Sequence, residues 1–316
     1  MALELGVIII LGLVLGFLIG IYAALSGTGG GSLYGPVFES ILFLPVNVAI
    51  GTSLFVVFLN SISTTHAYFR QKRIDFKTGL YLAAVSCPFN IVGSLMTGVV
   101  TGSFGKDVMK LIFYGFVLFS GTYMIAKKNN HDPKNLACEG RWIFNQKIVD
   151  KDGKVFEYAF SFMKIVPWAA LAGFLSGFLG IGGGMVMVPA FNFVCNMPVH
   201  IIVATSGFML LFNSLTGSIV KFSVGEVDIF VGLLFAAGSI FGAQIGAKIA
   251  KGSTSKGLKI NISILLIVLA VFKIIDVFFP VDDIVLMVVV GVTFVVTVVI
   301  VNKKKPNSRE NQIQKP

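Results

Sequence analysis

Charge is scarce in this chain of 316 residues. Asp, Glu, Lys and Arg together make up 13% of it, against roughly 25% in soluble domains. No Asp or Glu stands in the middle of a long apolar run; Glu39 comes nearest, close to the end of a short one. A proton relay of buried carboxylates is therefore unsupported. The three cysteines form no CxxC. Cys87 and Cys195 lie in apolar stretches and Cys138 in a polar one, so they read as inert thiols. No Ser/His/Asp arrangement and no His/Cys group has catalytic or metal-ligand spacing. No enzyme activity, metal or cofactor is expected. The first residues lack a basic start and an Ala-x-Ala cleavage site, so Met1 to Leu25 reads as a first membrane helix, not a removed signal.

What the chain has instead is apolar length. Hydrophobic residues make up 55% and mean hydropathy is +0.88. Several runs approach the ~20 residues needed to span a bilayer core. An all-α polytopic membrane protein follows. The net charge of +10 does not indicate nucleic acid, because Lys and Arg sit in loops and in the tail, where they set topology.

Apolar segments run about Leu5 to Leu25, Ser32 to Leu44, Val46 to Tyr68, Thr78 to Gly98 and Asp107 to Ala126. A polar stretch, Lys127 to Lys164, follows. The plan then repeats at about Ile165 to Leu179, Met185 to Asn196, Val199 to Phe222, Asp228 to Ala250 and Leu258 to Phe279. One extra helix, about Asp283 to Val301, precedes a basic tail. Gly29 and Gly182 are 153 positions apart, as are Pro36 and Pro189, Pro45 and Pro198, Thr52 and Thr205, Ser53 and Ser206, Asn60 and Asn213, Asp75 and Asp228, and Gly93 and Gly246. An ungapped register this long marks an internal duplication, common in transporters. The expected division is 1–126 as first membrane repeat, 127–164 as polar cytoplasmic linker, 165–279 as second repeat, and 280–316 as extra helix and basic tail.

Loop charge orients the halves. If both short segments cross, each half has five segments and the halves are inverted. The Arg70–Lys77 loop, the linker, the Lys251/Lys256 loop and Lys303 to Lys305 then share the cytoplasmic side. The loop from Lys221 to Asp228 and the Pro280–Asp283 loop lie outside. The positive-inside rule favours this arrangement: two inverted five-segment repeats with glycine-rich helix breaks plus one C-terminal helix, in the cell membrane, N-terminus out and C-terminus in.

The breaks are the candidate site. Gly29, Gly30 and Gly31, and their counterparts Gly182, Gly183 and Gly184, cost roughly 1 kcal/mol each in a helix. A break leaves N–H groups at the start of the next helix, and these attract an anion. Close helix packing is the competing reading, and it suits Gly12, Gly16 and Gly20. A nucleotide P-loop is not expected, since no Gly-Lys-Ser/Thr follows either stretch. Ser53 and Asn60 share a helix face, as do Ser206 and Asn213. They read either as donors to a bound oxyanion or as interhelical hydrogen-bond glue. Thr52 and Thr205 flank them. Asn90 and Gln244 are secondary candidates, and Tyr34, Ser26, Thr28 and Ser32 add hydroxyls beside the first break. His66, Arg70 and Lys221, near helix ends, read as interfacial anchors.

Two copies of a Gly-x-Gly-Gly-Gly-x₄-Pro pattern, Gly27–Pro36 and Gly180–Pro189, in a small basic membrane protein with a polar central loop, resemble the TauE/SafE sulfite-exporter family. The resemblance covers about Leu5 to Val301. It implies transport of sulfur-containing anions such as sulfite, sulfonates or sulfoacetate. It leaves the anion, its direction and a coupling ion (proton or sodium) open.

The expectation is alternating access around a midplane site for a small anion, in contact with the lipid bilayer and not with nucleic acid. An anion channel, or a carrier of a cation or neutral solute, remains the rival.

Overall fold

The computed structural model describes residues 5–99, 103–126 and 142–278. The elements are α1 (Leu5–Ser26), α2 (Gly31–Ser40), α3 (Val46–Arg70), α4 (Phe76–Val99), α5 (Ser103–Ala126), β1 (Ile143–Val149), β2 (Val155–Ser161), α6 (Phe162–Leu179), α7 (Gly184–Val194), α8 (Val199–Ser223), α9 (Ile229–Gly252) and α10 (Ser255–Phe278). Among the described residues seven helices are long and apolar enough to cross a membrane: α1, α3, α4, α6, α8, α9 and α10. The extra helix expected over 283–301 lies outside the described residues.

Polarity is turned inward. Thr52, Ser53, Asn60 and Ser61 of α3 are buried, as are Thr205, Ser206, Asn213 and Ser214 of α8. Leu18, Leu95, Phe119, Ile219 and Phe241 are exposed. An apolar exterior with polar groups inside the bundle is what a lipid solvent demands.

Helix packing follows the duplication. α3 and α8 lie against each other, α1 runs along α9 and α6 along α4, α3 meets α9 and α8 meets α4, and α5 pairs with α10. The major contacts between the halves thus return when the two are exchanged, the pattern of an isologous pairing. The α1–α9 and α6–α4 contacts are close because glycine sits at the crossings. A Cβ on Gly20 would lie 2.4 Å from the Ser239 carbonyl oxygen, and one on Gly173 would lie 2.1 Å from that of Ser86.

The ends of matched helices are built alike. Pro45 and Pro198 precede α3 and α8 in the same extended conformation. Asp228 Oδ1 accepts from Val231 N at 3.0 Å and caps α9, while Asp75 Oδ1 accepts from Thr78 N at 3.1 Å and caps α4. Such caps satisfy one of the orphan donors at a helix start.

The all-α expectation needs one correction. Part of the polar linker folds as an antiparallel hairpin, with Ile143 opposite Ser161 and Val149 opposite Val155. Two features of that stretch explain it. Its apolar residues alternate, Phe144, Ile148 and Phe156 turning inward along their strands, which is strand periodicity. Its turn is held by Asp150, whose Oδ1 accepts from Asp152 N at 2.6 Å and Lys154 N at 3.3 Å, with Gly153 at φ +80°, ordinary Asx-turn chemistry.

The hairpin docks on the corner between α3 and α4. Arg73 donates to Asp150 Oδ2 at 2.8 Å, both side chains almost wholly buried. Tyr158 donates to Asp75 Oδ2 at 2.5 Å. The backbone N–H of Lys151 donates to the Gln71 carbonyl at 3.1 Å. Burial would raise the Asp150 carboxyl, but the hydrogen bonds from Arg73 and from the amides of Asp152 and Lys154, with the charge of Arg73, hold it below its ordinary value. The Tyr158 hydroxyl is pushed up, first by burial and then by the charge of Asp75 beside it.

Candidate functional site

The glycine stretches break the chain in the same way twice. Gly27, Gly29 and Gly30 have φ of +71°, +87° and +77°; Gly180, Gly182 and Gly183 have +73°, +80° and +81°. These left-handed values are where a Cβ is disfavoured. Gly30 and Gly183 are the N-caps of α2 and α7, and no side chain caps either helix. The first N–H groups of two helices therefore point into the protein without intrahelical partners. With 10 and 11 residues, α2 and α7 are each about 15 Å long, half of the ~30 Å bilayer core.

The two breaks meet. A Cβ on Gly31 would lie 2.5 Å from the Gly180 carbonyl oxygen, and one on Gly184 would lie 2.6 Å from that of Gly27. Val57 and Leu210, themselves counterparts, both pack on Gly29 and Gly182. Ser53 Oγ donates to the Gly180 carbonyl at 2.8 Å, and Ser206 Oγ donates to the Gly27 carbonyl at 2.9 Å. Each central helix thus clasps the glycine loop of the other half. A hydroxyl has one proton, so Ser53 shares its own between the loop and the Ile50 carbonyl, also at 2.8 Å, and Ser206 between the loop and the Val203 carbonyl at 3.1 Å.

The remaining expected residues divide. Thr52 Oγ1 accepts from Asp228 N at 2.9 Å and Thr205 Oγ1 from Asp75 N at 3.1 Å, which fastens the starts of α9 and α4. Gln244 Nε2 donates to Ser63 Oγ at 2.8 Å and to the Ser63 carbonyl at 3.0 Å, tying α9 to α3 away from the breaks. Tyr34 is buried, stacked on Phe38 and edge-on to Phe235, and its hydroxyl has no partner. Lys221, read from the sequence as an interfacial anchor, is buried at the end of α8 and paired with Glu226 at 2.6 Å. The reason is local: the turn after α8 brings the carboxylate back to it, and a buried ammonium needs such a partner.

Asn60 and Asn213 are buried at matched positions but differ in surroundings. Asn60 Oδ1 has no partner. Asn213 Oδ1 accepts from Ser86 Oγ at 2.5 Å, and its Nδ2 lies 3.3 Å from where a Cβ on Gly183 would stand. Ser86 opens a polar row along α4, with Asn90 and Ser94 one turn apart; both are buried, and the Asn90 Nδ2 has no partner. Ser176 of α6, also unpartnered, adjoins Gly183. Sequence reasoning singled out Asn90 but not the row; the spacing of four was its signal. It also missed Tyr22, whose hydroxyl lies beside those of Ser26, Thr28 and Ser32.

The family described as Sulfite exporter TauE/SafE matches residues 12–272 of the chain. The chain belongs to this family. Its relatives include the Probable membrane transporter protein YunE of Bacillus subtilis, 31% identical over 266 residues, which cover 81% of this chain and 93% of YunE. The Probable membrane transporter protein MJ0441 of Methanocaldococcus jannaschii is 29% identical over 274 residues, covering 82% and 93%. YdhB of Bacillus subtilis, named in the same way, is 23% identical over 232 residues, covering 73% and 86%. No solved structure shows a significant match. The TauE/SafE family is a transporter family and not an enzyme family, and its member here is a multi-pass membrane protein.

Proposed function

We propose that this TauE/SafE protein carries small anions, above all sulfur oxyanions or organosulfonates such as sulfite, sulfoacetate and taurine-like compounds, by alternating access around a midplane site. The observation that carries the reading is the meeting of two uncapped helix starts, at Gly30–Gly31 and Gly183–Gly184, between the halves of the protein. Helix starts of this kind hold anions in many folds, and discontinuous helices at repeat interfaces are the usual transporter site. The printed family description, a sulfite exporter, agrees in substrate class.

In this reading the loops Gly29–Gly31 and Gly182–Gly184 cradle the anion, and Asn60 and Asn213 offer amide donors beside them. Ser53 and Ser206 hold the loops in register. Neutral donors suit a carrier, which must release as well as bind. The halves, 1–126 and 165–279, are inverted about the linker 127–164, with the N-terminus outside and the C-terminus in the cytoplasm, the arrangement that the Lys and Arg distribution favours despite Lys106 and Lys110 on the outer side. The repeats rock about the site.

Counterflow in proteoliposomes tests this. Labelled sulfite should exchange saturably and be competed by sulfate or a sulfonate more strongly than by chloride. Flux without saturation or counterflow means a channel. Absence of exchange with every anion, from folded protein, removes the anion reading and leaves the glycine stretches as packing devices.

A further inference from the structure

The chemistry of the two halves differs most beside the first glycine break. Around the first break stand four hydroxyls: Tyr22 and Ser26 near the end of α1, Thr28 in the loop, and Ser32 in the first turn of α2. Their counterparts 153 positions on are Leu175, Leu179, Ile181 and Met185. The backbone is repeated and the chemistry is not.

The four hydroxyls are buried, none more than 3% exposed. Their protons can be followed. Ser26 Oγ donates to the Tyr22 carbonyl at 2.8 Å, so in its 2.7 Å contact with Thr28 it accepts, and the Thr28 proton is spent there. The Tyr22 hydroxyl lies near those of Ser26, Thr28 and Ser32, close enough for weak contact with each, but in none of these contacts does it reach ordinary hydrogen-bond geometry. Ser32 Oγ has no partner either. Two buried O–H donors thus lack a well-formed acceptor, next to the uncapped start of α2. Unmade hydrogen bonds of this kind cost about 1–3 kcal/mol each. Two side by side at a helix start are explained by an acceptor that completes them.

Resting on the anion-carrier reading, we propose that within the cradle between the two glycine loops the hydroxyl donors to the anion come from one side only, at the start of α2. The Tyr22 and Ser32 hydroxyls donate to it together with the first N–H groups of α2. Ser26 and Thr28 are positioning residues: their mutual bond sets the floor of the pocket. Such a pocket fits a small oxyanion with two or more oxygens on one centre, each taking a separate donor. One anion binds per chain despite the doubled motif. The start of α7 lacks these four hydroxyls, with Leu175, Leu179, Ile181 and Met185 at the matched positions, although Ser176 and Asn213 adjoin it.

The test is equilibrium binding of sulfite to the full chain in nanodiscs, by calorimetry, beside counterflow. Wild type should bind one sulfite per chain. Tyr22→Phe and Ser32→Ala each keep the shape and should weaken sulfite at least about tenfold, the worth of a hydrogen bond to a charged group, with little effect on chloride competition. Ser32→Thr should restore binding, and all variants should match wild type in size-exclusion profile. Two sulfites per chain, or full affinity in folded Tyr22→Phe/Ser32→Ala protein, overturns the one-sided pocket while leaving the carrier intact. So does a loss confined to Ser176→Ala and Asn90→Ala, which would place the anion at α7. Wild-type protein that neither binds nor exchanges any oxyanion overturns the pocket and the carrier reading together.

Discussion

Among the glycines, position decides what a methyl group does. At Gly31 a Cβ would meet the Gly180 carbonyl at 2.5 Å, and overpacking of this kind typically costs about 1–3 kcal/mol. At Gly35, four residues on in the same helix, nothing lies within 4 Å, and Ala is the better helix former by roughly 1 kcal/mol. Gly31→Ala should therefore lower the thermal midpoint in detergent and abolish flux, while Gly35→Ala should leave or raise the midpoint. The two asparagines separate in the same manner. Asn213→Ala takes from buried Ser86 the nearer of its two acceptors, leaving the Ala83 carbonyl at 3.2 Å, and should cost about 1 kcal/mol of stability as well as flux. Asn60→Ala removes a carbonyl without a partner and should lower flux at nearly unchanged stability. Unchanged flux in both folded variants would remove the asparagines from the site. The sequence pointed to the asparagines through their spacing, but the difference between them depends on Ser86, brought in from α4.

At the scale of elements, the hairpin is fixed to the helical body through Arg73 and Asp150. Removing one partner of a buried ion pair commonly costs 3–5 kcal/mol. Asp150→Ala should free the hairpin before it unfolds the helices, seen as lost hydrogen-exchange protection at Lys151 and over Val155–Ser161. The pH dependence has a definite sign. The carboxyl is held below its ordinary value in the folded protein, so its contribution is complete above the unfolded value, near 4, and is lost as pH falls through the lower folded value. Hairpin protection should be flat from pH 8 to about 5 and fail only in stronger acid. Loss already at pH 6 would mean that another group controls docking. The linker's strands were masked in the sequence by its Lys, Asn and Asp content; the alternation of Phe144, Ile148 and Phe156 was present but short.

For the whole molecule, the reciprocal contacts predict equal effects at matched positions. Thr52→Val and Thr205→Val each remove the acceptor of a buried or half-buried N–H, at Asp228 and at Asp75, and should lower stability by similar amounts, about 1–2 kcal/mol each. Arg70 and Ser223, matched and exposed at the ends of α3 and α8, report topology. In a background free of native cysteines, Arg70→Cys and Ser223→Cys should be labelled from opposite faces of the membrane by an impermeant maleimide. Labelling from one face would make the repeats parallel. Composition and apolar run length determined that the chain is a multi-pass helical membrane protein, because a lipid solvent leaves few other options. The 153-residue register revealed the duplication, because matched Gly, Pro, Asn and Asp positions survive in the letters themselves. Tertiary structure alone decided that the two breaks touch, that Ser53 and Ser206 clasp them crosswise, and that Tyr22 joins the first. Those contacts join residues far apart in the chain, or depend on how a side chain reaches across a loop, and local sequence pattern carries no record of either.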